Sequence, residues 1–447
     1  MLLFLIPNSS FLTPNFFCYN SCMKTFHVKT LGCKTNRTES EIITENLESY
    51  GFCKAEKPDE ADLYVLNSCA VTETAARESL YFLKNIKNKH PQITTVLTGC
   101  VAQIEAEKMK YEASIDFIVG NNEKLSLGEY LKRNRKYCVD DIFTLKKFNN
   151  KQVHAISRTR ADQKIQDGCN NRCTYCTIPY ARGNARSNPT GNVIEQINIF
   201  VQNGIKEIIL TGIHIGQWGG EFSPKLSLID LLKEIEKTPI ARYRLGSLEP
   251  SEIDDELVEF LAKSKKFCPH FHISIQSMND KTLSEMNRHY TADDVLKKIK
   301  KLNSKFELPF LGCDIIVGFP GETEDDFEIM YNNLDLAELS QIHVFPYSIR
   351  NNTPAAAMKN QTAENIKKER AHKIKQLSER KFTVFLGKNL NTIHEVQIQK
   401  TKKGNFYKGL TKNYIDVLIP SPKDISNELV SVKIDKINND VACATLI

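Results

Sequence analysis

Three cysteines in the stretch DGCNNRCTYCTIPYARG carry the clearest chemistry in this chain. Cys169, Cys173 and Cys176 are spaced C-x3-C-x2-C. Three thiolates on one tight loop suit three irons of a four-iron cluster, because such clusters are held by cysteine. One iron is then left open, and an open iron binds a small molecule through amine and carboxylate groups. Zinc and inert thiols are the competing readings. Structural zinc normally takes four ligands, often as paired C-x2-C knuckles, and no second pair is nearby. A second trio is dispersed: Cys33 in TLGC, Cys69 in LNSC and Cys100 in LTGC, 36 and 31 residues apart, each closing an apolar run. Ends of neighbouring parallel strands lie side by side, and ligands bind in the crevice beyond them, so these cysteines can converge as a second three-thiolate centre. Gly32, Ser68 and Gly99 are small neighbours that let a bulky cofactor approach the backbone. Three buried core cysteines are the alternative. Cys18, Cys22, Cys53, Cys138, Cys268, Cys313 and Cys443 share no spacing, and Cys313 is expected in the core.

The elements that must position these thiols follow from periodicity. A chain of 447 residues is too long for one core and predicts about three domains of roughly 150 residues. Its 41% hydrophobic and 26% charged residues exclude wholesale disorder, and no apolar run approaches the roughly 20 residues of a membrane-spanning helix. The net charge of +6 permits an RNA partner without demanding one. Thirteen cysteines, an odd number, argue against a fully paired disulfide framework. MLLFLIPNSSFLTPNFFCYNSC lacks Lys and Arg, hence the basic start of a secretory signal, so a cytoplasmic address is expected. Residues 1–23 are expected to be an extension without a structural role.

From residue 24 to 131 apolar runs alternate with amphipathic stretches, which predicts a doubly wound α/β domain on a parallel sheet. Residues 132–161 are basic and irregular and are expected to be a linker. Residues 162–381 hold six further strand–helix units, two short of a full barrel, which predicts an open partial (β/α)6 barrel working at its strands' C-terminal ends. Residues 382–447 change to short β-like runs and predict a small all-β barrel.

The C-x3-C-x2-C spacing, with Tyr175 before the last cysteine, resembles the radical S-adenosylmethionine (SAM) enzymes. The two triplets together resemble the methylthiotransferase family of that superfamily, from Lys24 onward. The resemblance implies two [4Fe-4S] clusters at Cys33, Cys69, Cys100 and at Cys169, Cys173, Cys176. It also implies SAM as both radical source and methyl donor. GNFYKGLTKNYIDVLI is similar to the family's small β-barrel RNA-binding module. IQDGCNNRCTYCTIPYARG, with Gln166 and Asp167, and VFPYSIRNNTPAA resemble the branch that acts on N6-threonylcarbamoyladenosine, beside the anticodon of tRNA. The same chemistry on isopentenyladenosine or a ribosomal protein is the alternative within the family. A non-catalytic iron–sulfur RNA-binding protein is the alternative outside it. A reducing electron donor and a sulfur source are implied as partners, and a monomer is expected.

The strand-end stretches are those that line the SAM pocket in the family. They put Tyr175, Thr211, Gly212, Ser247, Glu249, Gln276, Ser277, Arg288, Gly318 and Phe319 forward as cofactor-binding residues, against ordinary βα-turn chemistry for some of them. His214 at the barrel mouth is more ordinarily a satisfied core or surface residue. Arg182 and Arg350 are candidates for a substrate carboxylate or phosphate through the guanidinium fork, with pairing to a nearby acid as the plain alternative. Phe406 and Tyr407 beside Lys402, Lys403 and Lys408 suit base stacking with phosphate contact, or ordinary solvent-facing sequence. No carboxylate pair with acid–base spacing and no Ser-His-Asp order stands out, which fits hydrogen-atom chemistry.

Overall fold

A computed structural model describes residues 24–70, 72–156, 158–438 and 440–447. The expected extension, residues 1–23 with Cys18 and Cys22, lies outside the described residues. Six strands form the first sheet: β1 (Lys24–Thr30), β2 (Phe52–Lys54), β3 (Leu63–Ser68), β4 (Thr94–Gly99), β5 (Phe117–Val119) and β6 (Tyr137–Cys138). All pairs are parallel, in the order β2-β1-β3-β4-β5-β6. β3 is buried along its whole length, as an apolar strand covered on both faces must be. Strand alternation divides the core: Val65, Val96 and Val119 pack with Ile43 and Leu47 on one face, and Leu66, Leu97 and Ile118 pack with Leu83 and Val101 on the other. The sheet reverses direction between β1 and β3, and such a switch point opens a crevice at the strands' carboxyl ends. Cys33 and Cys69 follow those two strands.

The sheet does not end at Leu131, because β6 lies inside the expected linker and pairs with β5. Two residues are too few for a period-2 pattern to show. Parts of that segment are packed, with Cys138, Ile142 and Val153 buried. Val153 exchanges hydrogen bonds with the Gln196 amide at 2.8 and 2.7 Å.

The second domain contains β7 (Arg160–Lys164), β8 (Gln166–Asp167), β9 (Arg186–Ser187), β10 (Glu207–Thr211), β11 (Arg242–Leu245), β12 (Ser247–Leu248), β13 (His270–Gln276), β14 (Phe310–Val317) and β15 (Gln341–Pro346). Parallel sheets β11-β10-β7 and β12-β13-β14-β15 build the open barrel, and β8 pairs antiparallel with β9. The RYRLGS run is one strand position split at Gly246 into β11 and β12, so six positions remain. Ile208, Leu210, Tyr243, Ile273, Leu311 and Ile315 face the outer helices. Alternate residues face inward and are polar: Asp162, Lys164, Arg244, His272 and Asp314. Side-chain capping boxes at Ser227, Thr291 and Thr323 start the outer helices.

Helix Glu364–Lys388 runs on past the expected boundary at 381/382. Phe385 and Leu386 are helical and floor the small barrel with Val396 and Ile419. That barrel closes in the order β16 (Ile393–Lys403), β17 (Phe406–Thr411), β18 (Asp416–Pro420), β20 (Val441–Leu446), β19 (Leu429–Asn438). It seats on the amino-terminal end of the larger barrel. Arg242 Nη2 donates to Leu410 O at 2.9 Å, and Arg244 donates to Thr411 O and Lys412 O, both at 2.6 Å. Glu207 holds both guanidinium groups at 2.6 and 2.8 Å. Among the described residues no helix is long and apolar enough to cross a membrane.

Candidate functional site

The loop after β8 turns at Gly168, where φ is +72° and a Cβ would lie 2.0 Å from Asn184 O. It is tied down on both sides. Cys169 N donates to Gly183 O at 3.1 Å, Thr174 N to Met286 O at 3.2 Å and Ala355 N to Thr174 O at 2.9 Å. Each of the three sulfurs faces a nitrogen: His214 Nδ1 at 3.4 Å from Cys169, Arg288 Nη1 at 3.3 Å from Cys173 and Ile178 N at 3.4 Å from Cys176. Donors aimed at sulfur favour thiolates and tune a cluster that they hold. Burial, with the neighbouring Cys173 and Cys169, outweighs the Ile178 N–H and Arg288 and pushes the Cys176 thiol up to about 12, so the thiolate needs a positive partner such as iron. The donor set therefore fits a four-iron cluster. Among the described residues no three His, Cys, Asp or Glu side chains close on a single metal ion.

These thiols open on a cavity of about 350 Å³ whose wall includes Tyr175, His214, Ser247, Glu249, Gln276 and Arg288. Arg288 is fixed on four sides: Glu249 Oε1 at 2.7 Å, Ser274 O at 2.7 Å, the Tyr290 hydroxyl at 2.8 Å and the Cys173 sulfur. Glu249 also accepts from Asn171 Nδ2 at 2.8 Å. His214 pairs with Glu252. Burial would lower its pKa, but Cys169, Glu252 and Glu249 raise it to about 10, so the ring is an imidazolium beside the thiolate loop.

Five of the expected cofactor residues do not line this cavity. Thr211 is buried in β10 and Gly212 faces Gln166. Ser277 is fully buried, its hydroxyl on the Met330 sulfur at 3.5 Å. Gly318 packs on Lys367, and Phe319 stands behind Tyr347 with ring centroids 5.5 Å apart. The sequence reading missed Asn171, Asp314, Phe345, Tyr347, Ser348 and Thr72, which do line it. Inward alternation on β14 and the FPYS run were available signals for Asp314 and Tyr347. Thr72 comes from the first domain and had none.

The second triplet gathers at the switch point. Ser68 and Gly99 are register partners, so Cys69 and Cys100 leave adjacent strand ends together. A Cβ on Gly32 would come within 2.7 Å of Cys69 Sγ, which places the Cys33 turn directly against Cys69. Cys69 and Cys100 are buried and Cys33 is exposed, and Asn121 Nδ2 lies 3.8 Å from Cys100 Sγ. The two triplets meet at one interface. Thr177 Oγ1, one residue past Cys176, donates to Ala70 O, one residue past Cys69, at 3.3 Å. Ala70, Cys100, Val101 and Ala181 share one apolar cluster.

Three expected substrate residues are corrected by the structure. Arg182 is 1% exposed and its fork is filled by Glu39. Arg350 is buried and faces Glu105 at 3.6 Å. Tyr407 points into the small barrel, where its hydroxyl meets Asp424 at 3.3 Å, so it offers no face for stacking. Its neighbour Phe406 points outward and is exposed, and Lys402 Nζ covers the Tyr407 ring at 4.9 Å. The backbone of Lys403 pairs with Phe406.

Gly168→Ala tests the loop. A left-handed residue costs about 1–3 kcal/mol without glycine, and here the Cβ also meets backbone. Iron after anaerobic reconstitution will fall from about eight to about four atoms per chain. Retention of full iron would mean that the loop tolerates the turn.

Comparison with known proteins agrees with this geometry. Residues 164–334 match the Radical SAM superfamily, and residues 25–120 match the Uncharacterized protein family UPF0004. The Threonylcarbamoyladenosine tRNA methylthiotransferase MtaB of Bacillus subtilis is 35% identical, over 93% of this chain and 94% of that one. The protein of that name from Aquifex aeolicus is 34% identical, over 91% and 99%. A tRNA-2-methylthio-N(6)-dimethylallyladenosine synthase of Clostridium botulinum is 33% identical, over 93% and 95%. Among solved structures, the radical S-adenosylmethionine methyltransferase TsrM from Kitasatospora setae has a TM-score of 0.55 at 14% identity, covering 74% of this chain and 77% of that one. This likeness concerns the fold.

Proposed function

The chain belongs to the methylthiotransferases of the radical SAM superfamily, and from that premise we infer that it adds a methylthio group to C2 of N6-threonylcarbamoyladenosine in tRNA, with SAM as methyl donor and radical source. The meeting of the two three-cysteine segments at one interface, beside a cavity lined by Cys169, Cys173, Cys176 and Thr72, is the observation that carries this reading. The threonylcarbamoyl nucleoside is favoured by relatives named for it at 34–36% identity over 85–93% of the chain.

In this reading Cys169, Cys173 and Cys176 hold one four-iron cluster, and Cys33, Cys69 and Cys100 hold the other. When bound, the first supplies the electron that cleaves SAM and so the radical that removes hydrogen from a C–H bond. The chain's own groups bind and orient. Glu249 and Ser247 suit the amine and ribose hydroxyls of SAM, Gln276 offers an amide at the cavity wall, and Tyr175 packs beside the adenine. Arg288 holds Glu249 in place and donates to the Cys173 sulfur. Phe345 and Tyr347 form an apolar side of the cavity. The open rim, with Thr72 from the first domain and Ser348 from the second, admits the nucleoside between the two centres. The first sheet serves as the cluster domain, and the exposed Phe406 and Lys402 of the small barrel offer an outer RNA contact.

Mass spectrometry of tRNA nucleosides from a deletion strain tests the assignment. The methylthio form of the threonylcarbamoyl nucleoside disappears and its unmodified parent accumulates. Loss of the methylthio isopentenyl nucleoside instead would assign the other branch.

A further inference from the structure

Beneath the two triplets lies a sealed set of charges that no step above uses. Glu39, on the helix that starts directly after Cys33, is 1% exposed. Its two oxygens accept Arg182 Nη1 and Nη2 at 2.7 and 2.9 Å, and Lys164 and Lys124 each approach at 2.6 Å. Arg182, six residues past Cys176, also reaches Asn36 Oδ1 at 2.6 Å and Asp167 Oδ1 at 3.1 Å. Asp167, two residues before Cys169, pairs with Lys164 at 2.8 Å and Arg186 at 3.6 Å. Lys124 donates to Asn121 Oδ1 at 2.7 Å and Asn67 Oδ1 at 3.1 Å. Asn121 bridges Ala181 O and the Cys100 sulfur, and Asn36 donates to Ser68 O at 2.9 Å. One network thus reaches the strand end or loop of every cysteine in both triplets.

Two features separate this network from ordinary domain glue. An interface can be held as well by apolar packing, and a buried ion cluster adds little net stability for its desolvation cost. What a bidentate fork adds is a single geometry. The charges are also unbalanced. Two carboxylates, Glu39 and Asp167, face four cations, Lys124, Lys164, Arg182 and Arg186, which leaves a buried surplus of two positive charges. Burial lowers the Lys124 pKa against the pull of Glu39, whereas at Arg182 burial is outweighed by Glu39 and Asp167, which raise its pKa. Anionic iron–thiolate centres are the natural complement of that surplus.

We infer that Arg182, acting through Glu39, is the positioning residue that fixes the Cys33–Cys69–Cys100 centre against the loop that generates the radical. The inference rests on the two-centre reading but not on the choice of nucleoside.

The test uses the full chain, reconstituted anaerobically, as Arg182→Lys and as the paired Glu39→Gln/Arg182→Gln. The first keeps the charge and loses the fork. The second removes one charge of each sign, with Gln isosteric to Glu39 and shorter than Arg182. Magnetic coupling between the two reduced centres is read by electron paramagnetic resonance, without RNA or turnover. The ratio of 5′-deoxyadenosine to methylthio nucleoside is read separately. Iron stays near eight atoms per chain, the coupling weakens, and the ratio rises by about 10²-fold, the scale of an ångström-level misplacement. Unchanged coupling and ratio in both variants overturn the inference. So does loss of iron with proportionate loss of both products, which would make the network structural only. If even the wild-type protein forms no methylthio nucleoside, the tRNA reading fails alone, because the coupling still tests the placement.

Discussion

Cys173→Ala reduces SAM cleavage to background, whereas Cys69→Ala preserves it and abolishes methylthio transfer. The two sulfurs sit on opposite sides of the domain interface, so the variants separate the half-reactions. Cys173 is 9% exposed and its sulfur is held by Arg288. Without it only two thiolates remain on the loop, too few for a cluster whose remaining iron must stay open. Cys69 lies at the end of β3, while the loop at Cys169 keeps its own ties to Gly183, Met286 and Ala355. Chromatography of 5′-deoxyadenosine and mass spectrometry of the nucleosides check both outcomes. Each variant retains about four irons per chain. Equal loss of both products from Cys69→Ala, with the other cluster intact, would contradict the division of labour.

Glu207→Ala destabilises the protein by about 3–5 kcal/mol, the cost of removing one partner from a buried ion pair. Arg242 and Arg244 are at most 1% exposed, and the variant takes the Glu207 carboxylate from both, leaving Arg242 only Glu395 at 3.5 Å. Burial alone would raise the Glu207 carboxyl, but Arg244, Arg242 and Arg160 outweigh it and bring its pKa from 4.5 down to about 2. A depressed folded pKa contributes stability that is complete above the unfolded value and lost as pH falls through the folded one. The wild-type protein therefore loses about 3 kcal/mol from this group between pH 4.5 and pH 2, and the variant lacks that slope. Urea unfolding at pH 7 and along that acid window measures both effects. A variant that unfolds at the wild-type midpoint would show that other contacts hold the small barrel.

The parts legible in the sequence are those set by local chemistry. FHVKTL, LYVLN and TTVLTG became β1, β3 and β4 because apolar runs of that length bury as parallel strands. Their terminal cysteines met because strand ends adjoin. The C-x3-C-x2-C loop needs no distant partner. What escaped depends on residues far away in the chain. Arg182 suits a substrate anion or a nearby acid equally by sequence, and only the fold shows that Glu39, 143 residues earlier, fills its fork. Arg350 is faced by Glu105, and Lys388 stays helical because Phe385 and Leu386 floor a barrel not yet begun. Phe406 and Tyr407 are indistinguishable as aromatic neighbours, and only barrel closure decides which faces solvent.

The arginines beneath the small barrel grip the oxygens of peptide bonds at Leu410, Thr411 and Lys412. Peptide oxygens are common to all amino acids, so these hydrogen bonds do not depend on the side chains at Leu410 and Thr411, whereas Lys412 adds its own ammonium on Lys265 O at 3.0 Å. The outer surface of the small barrel can therefore change in sequence while the hydrogen bonds that align it with the larger barrel are kept.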